Sequence, residues 1–165
     1  MRCARDIIGL PLIDINNGDQ VGWVKDVVFD KDKDLVTGFL LEGAHLFNAS
    51  KGIPRHAIIS VGKNALMVSN FSFEEIFGLK WSQKVGNQVY TKDGDVKGTI
   101  EDVFLDDKAE NIVGFEISDG LFADLMEGRE AIFKQHVMVD EKDILIVVDD
   151  QVAPWDGSIK GGSLS

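Results

Sequence analysis

The residues best placed to do chemistry in this chain are aspartates. Asp30-Lys31-Asp32-Lys33-Asp34 has the D-x-D-x-D opening of a calcium loop. Such a loop also needs glycine at its sixth position and glutamate at its twelfth. Leu35 and Leu41 stand there instead, so the segment reads as a solvated turn between two strands. Asp26 and Asp102 form a second set, as do Asp30 and Asp106. Matched carboxylates can share general acid–base work. Beside a bulge or at a strand end they can instead take up unpaired backbone N–H groups and shape turns, and this second reading is preferred.

The other reactive side chains do not assemble into a set. His45, His56 and His136 have no histidine partner within four residues, so metal-ligand spacing is missing. Ser60, Ser69 and Ser118 lack a nucleophile-elbow glycine pattern. Gly18-x-x-x-Gly22 precedes a strand and not a helix, so it cradles no phosphate. Cys3 is the single cysteine, which rules out an internal disulfide and a cysteine-built zinc site. The sequence names no catalytic residue, no metal ligand and no cofactor. It offers interaction candidates: His45-Leu46-Phe47 and Leu121-Phe122 place apolar side chains in two loops, and Trp155 sits near the chain end. Apolar loop residues either plug a barrel or meet a partner.

These residues must be positioned by short strands. Val24–Phe29, a polar turn and Leu35–Leu41 read as strand, turn, strand, and Ile100–Leu105 and Ile112–Ile117 repeat the pattern. A second hairpin, Ala57–Val61 and Ala65–Ser69, recurs at Val137–Val139 and Ile144–Val148. The first strands are placed at Ile8–Asp14 and Gln88–Thr91. Valine or isoleucine at 24 and 100 is out of alternation with 27 and 103, which calls for a bulge at Lys25-Asp26 and Glu101-Asp102. Helix is sparse. Ser72-Phe73-Glu74-Glu75 has the capping-box form and predicts one turn to Phe77, and Leu121–Glu127 predicts another.

The repetition is an internal duplication. Gly18, Gly22 and Gly38 match Gly94, Gly98 and Gly114 at a shift of 76, and eight of 24 aligned pairs are identical over 18–41 against 94–117. Ile53–Val68 then matches Ile132–Val147 at a shift of 79, which puts three extra residues in a loop between about 120 and 131. The fold class is therefore all-β, two tandem small barrels of five or six short strands each. The expected boundaries are 1–78 and 79–155, with 156–165 as a flexible tail. A unit of about 75 residues hides only roughly 60% of its unfolded surface, so the copies gain by docking on each other or on a partner chain.

Hydrophobic residues make up 44% of the 165, enough for a core. The net charge is −11, from 28 acidic and 17 basic residues. No basic cluster exists to neutralise phosphates, which argues against direct nucleic-acid contact. No apolar run reaches a membrane span, and the start of the chain lacks a signal-type apolar core. The expectation is a cytoplasmic protein without a membrane span.

Each copy resembles a PRC-barrel domain. The resemblance rests on Ile8-Gly9-Leu10-Pro11-Leu12-Ile13-Asp14, on Gly18-x-x-x-Gly22-x-Val24-x-Asp26-Val27, on the strand around Gly38-Phe39, and on Ile53-Pro54 before an isoleucine-rich hairpin. It covers roughly 5–72 and 80–150. Copy two departs at Phe133, which replaces Pro54, and in its opening Val85-Gly86-Asn87-Gln88-Val89-Tyr90. The resemblance implies a non-enzymatic adaptor that binds other proteins or a second copy of itself. It also leaves in view an accessory role in RNA metabolism or ribosome assembly, acting through ribosomal proteins. A small-ligand or hydrolytic enzyme is the remaining alternative.

Overall fold

The computed structural model describes residues 1–43, 50–118, 129–148 and 153–154. Copy one carries β1 (Arg2–Cys3), β2 (Pro11–Asp14), β3 (Gln20–Asp30), β4 (Leu35–Glu42), β5 (Lys51–Pro54), β6 (Ile58–Val61), β7 (Leu66–Val68) and β8 (Glu74–Glu75). Copy two answers with β9 (Leu79–Lys80), β10 (Gln88–Thr91), β11 (Val96–Leu105), β12 (Ile112–Ser118), β13 (Arg129–Phe133), β14 (Val137–Asp140), β15 (Ile144–Val147) and β16 (Ala153–Pro154). The four-residue helix α1 (Trp81–Lys84) follows β9.

Each copy builds one curled sheet. The order is β6-β7-β2-β3-β4-β5-β8 in the first and β14-β15-β10-β11-β12-β13-β16 in the second. Neighbours are antiparallel except β2 with β7 and β10 with β15, which are parallel. The long central strands β3 and β11 bend at the expected bulges. Val24 faces Leu41 and Asp26 faces Leu40, so Lys25 is the extra residue. Ile100 faces Ile117 and Asp102 faces Glu116, so Glu101 is extra in copy two. An inserted residue resets a two-residue alternation, which is how Val24, Val27 and Phe29 all reach the core.

One feature of the sheets is not local. β1 belongs to copy one by sequence but pairs with β11 of copy two, Arg2 facing Leu105 and Cys3 facing Phe104. β9 belongs to copy two and pairs with β3 of copy one, Leu79 facing Phe29 and Lys80 facing Val28. The copies therefore exchange their first strands. Their apolar interiors join as well: Val36, Phe39 and Ile53 share one buried cluster with Ile112, Phe115 and Ile132. A shared core lets two undersized units bury more surface than either could alone.

Two expectations are corrected. No helix starts at Ser72. Glu74 and Glu75 are extended and pair with Gly52 and Lys51, because the open edge of β5 offers ladder bonds that a single isolated helical turn cannot match. The strand expected over Ile8–Asp14 is β2, and it begins at Pro11 and not at Ile8. Gly9 turns there with φ +85°, and its N–H bonds the carbonyl of Val24. Gly86 repeats the turn with φ +91° and a bond to Ile100, and only glycine adopts such angles without strain. The predicted helix Leu121–Glu127, most of the inserted loop and the chain end lie outside the described residues.

Candidate functional site

The best-built polar site lies where the exchanged segments meet the bulges. After β1 the chain makes a single 3-10 turn, Ala4–Asp6; after β9 it makes α1. Both turns end against the bulge aspartate of the opposite copy. The backbone N–H of Arg5 donates to Asp102 Oδ1 at 3.1 Å, and Arg5 Nε donates to Oδ2 at 2.9 Å. Ser82, 77 residues on, does the same to Asp26: its N–H reaches Oδ1 at 3.2 Å and its hydroxyl reaches Oδ2. Each aspartate also accepts from the next residue in its own strand, Val27 at 3.0 Å and Val103 at 2.8 Å. A carboxylate beside a bulge thus satisfies its own strand and an incoming one together.

The copy-two site is the more heavily built. Trp81 Nε1 adds a third bond to Asp102 Oδ1 at 2.8 Å. The Arg5 guanidinium also reaches Glu116, and both carboxylates are fully buried, Asp102 at 0% and Glu116 at 1% exposure. Burial raises the Asp102 pKa against the pull of Trp81, the Val103 N–H and Arg5. Burial also works against the charge of Arg5, but its bond to Glu116 and the charge of Asp102 outweigh that and raise its pKa. Next to this site the buried Cys3 thiol is pushed up to about 12, by burial first and then by the charges of Asp102 and Asp6. A thiol held protonated is a poor nucleophile.

The same reciprocity holds at two further places. Val36 N–H bonds Glu110 O at 2.9 Å while Ile112 N–H bonds Asp34 O at 2.8 Å, and Leu35 bridges Asn111, its own counterpart 76 residues on. Arg55 reaches across to the carbonyls of Lys108 at 2.6 Å and Ala109 at 3.1 Å. Lys134, its counterpart, pairs with Asp34 at 2.8 Å. Lys134 also pairs with Asp140 at 2.9 Å, and Asp140 takes Lys84 too. Burial opposes the charge on both lysines. For Lys84 it wins and the pKa falls; for Lys134 the bonds to Asp34 and Asp140 win and it rises. Both ammonium groups sit about 5.5 Å from the Phe115 ring centre, within reach of a cation–π attraction.

Chemically, this arrangement ties the two copies together. A general base must reach a substrate proton, and Asp26 and Asp102 spend both carboxylate oxygens on protein donors. Neither lines either of two shallow clefts on the described surface. One, of 340 Å³, is bordered by His56, Ile59, Asn70 and Glu74, and the other, of 540 Å³, by Thr37, Phe77, Gln83 and Lys142. Among the described residues no three His, Cys, Asp or Glu side chains converge as metal ligands.

The remaining sequence candidates separate. Asp30 Oδ1 accepts the N–H groups of Asp32 and Lys33, and Asp106 accepts the N–H of Glu110 and the amide of Asn111; both shape turns. His56 is exposed and His136 half-buried. Ser60 is exposed, Ser69 accepts from Asn16, and Ser118 donates to Glu101. The interaction candidates His45, Leu46, Phe47, Leu121, Phe122 and Trp155 lie outside the described residues. Sequence reasoning missed Arg5, Trp81 and Ser82. Their signal was the pair Ile8-Gly9 and Val85-Gly86, which aligns at a shift of 77 and sets Arg5 against Ser82. It also missed two large apolar side chains at the matched bulges of β6 and β14, Ile59 and Met138, each 54% exposed.

Comparison with known proteins agrees with the duplication. The sequence model of the PRC-barrel domain matches residues 2–74 and again 79–160. A Bacillus subtilis (strain 168) protein, described as uncharacterized protein YrrD, is 24% identical over 154 residues, covering 90% of this chain and 88% of its own length. No helix among the described residues is long and apolar enough to cross a membrane.

Proposed function

The chain belongs to the PRC-barrel domain family, with two copies in tandem, and from that we propose that it is a non-enzymatic protein-interaction module. One observation carries the reading: the matched aspartates, the strongest candidates for acid–base chemistry, are consumed in joining the copies. What the described surface offers instead is apolar contact. Ile59 and Met138 occupy equivalent bulges and both stand exposed. A bulge on an edge strand discourages strand addition, so a partner meets these side chains and not the backbone ladder. We extend the contact surface to His45-Leu46-Phe47, Leu121-Phe122 and Trp155. The charge of −11 favours partners with basic surfaces, since complementary charge speeds encounter.

Site-specific photocrosslinking tests this. A photoreactive residue at position 59 or 138, and in parallel at 47 or 122, is expected to trap one recurrent protein in cells. The adduct should be lost when Ile59→Asp and Met138→Asp are combined. Turnover of a small substrate by purified protein, abolished by Asp26→Asn or Asp102→Asn, would overturn the reading.

A further inference from the structure

We infer that the two copies form a two-fold docking surface whose partner is a second copy of the same unit, and that the connection through Ile76–Gly78 is not what holds them together. Residues 2–5 lie on the edge of β11 and end on Asp102; residues 79–82 lie on the edge of β3 and end on Asp26. The donor atoms, the acceptor atoms and the strand positions correspond one to one. Two domains that are neighbours only because a chain links them would meet through unlike surfaces. Here the strand pairings and the bonds to the bulge aspartates occur twice with their partners interchanged, while Trp81 and Glu116 add bonds in copy two alone.

Leu35 and Asn111 add the mark of an isologous interface, because a residue meets its own counterpart only on a two-fold axis. The flanking bonds, Val36 to Glu110 and Ile112 to Asp34, run in opposite directions across that axis. Arg55 and Lys134 do the same one layer out. The buried cluster runs through both copies, as in an obligate dimer interface, which resembles a domain core cut in half. The connecting residues contribute little. Phe77 is 76% exposed, and its carbonyl takes one bond, from the Thr37 hydroxyl at 3.2 Å.

The chain is then a closed pair whose linker raises the effective concentration of one half for the other. Each acceptor edge is filled from within the molecule, so an outside protein must bind elsewhere or displace residues 2–5 or 79–82.

The test uses the full chain with a protease site inserted between Phe77 and Gly78. After complete cutting of the native protein, the two pieces are expected to elute together at the size of the uncut chain. After brief equilibration of cut unlabelled and cut isotope-labelled pools in sub-denaturing urea, native mass spectrometry should show mixed pairs. In the Arg5→Ala/Ser82→Ala variant, which loses three partly buried side-chain bonds, mixed pairs should appear roughly tenfold faster or more. Pieces that separate or precipitate on cutting, from a protein that was folded before it, would overturn the inference. If the insertion itself spoils folding, a longer glycine–serine linker carrying the site at the same point, still after β8, gives the same readout.

Discussion

Ser82 donates its backbone N–H and its hydroxyl to Asp26, 56 residues before it, and Asp26 lies on the bulge of the other copy's central strand. Arg5 makes the corresponding pair of bonds to Asp102. The two aspartates are therefore equivalent in geometry but not in load. Asp102 also holds Trp81 and shares Arg5 with Glu116.

That difference sets an order of stability. Asp102→Ala strands the Trp81 indole N–H and removes a buried partner of Arg5, so it should cost about 3–5 kcal/mol. Asp26→Ala loses neutral donors only and should cost about 1–3 kcal/mol. Urea unfolding of the two variants checks both the size and the order.

Gly38 and Gly114 sit at matched positions where strands pass closely. A Cβ at either would lie 2.5 Å from a carbonyl oxygen, of Ile53 and Ile132 respectively. Gly38→Ala and Gly114→Ala should each cost about 1–3 kcal/mol through forced backbone shifts. At Gly94 a Cβ meets open space, but φ is +92°, so Gly94→Ala should cost about 1 kcal/mol. Thermal melts of the three variants separate crowding from backbone strain.

Cys3 gives a pH prediction. Its folded pKa, pushed up to about 12 from 9.0, lies above the unfolded value. Its contribution to stability is therefore complete below pH 9 and is lost as the pH rises towards 12. At pH 8 the native thiolate fraction should be about a thousandfold below that of the unfolded chain. Iodoacetamide should alkylate native Cys3 at least that much more slowly than the urea-unfolded protein. Cys3→Ala should lose less stability than the parent between pH 9 and 12.

Lys84 occupies the place that Ile7 fills in copy one, again 77 residues earlier. Both are buried, at 2% and 0% exposure. Burial lowers the folded pKa of Lys84, so its charge is a cost at neutral pH. Lys84→Ile leaves Asp140 paired with Lys134 and should change stability by less than about 1.5 kcal/mol at pH 7. A lowered folded pKa means that stability rises with pH, from that pKa up to the unfolded value. The parent should therefore gain on the variant as the pH is raised towards 10.5.

The local part of this architecture was legible in the sequence. Glycines at 18, 22 and 38 recur because turns and close strand crossings admit little else. The bulge was visible because alternation breaks once in each copy, between Val24 and Val27 and between Ile100 and Val103. The exchange was not visible, because β1 and β9 are two residues each and carry no periodicity. Arg2-Cys3 and Leu79-Lys80 are strands only because β11 and β3 present free edges. For the same reason the capping-box pattern at Ser72 failed: Glu74 and Glu75 found an open edge at β5. Asp26 and Asp102 were legible as a matched pair at a bulge, but their partners lie 56 and 97 residues away. No short-range pattern could connect them.

The central claim is that the two copies are one interlocked body whose matched carboxylates serve cohesion. Scanning calorimetry of the intact protein tests it most directly. A single transition is expected, with calorimetric and van't Hoff enthalpies that agree, and Asp102→Ala should lower that one transition as a whole. Two resolved transitions, with Asp102→Ala moving only one of them, would contradict it.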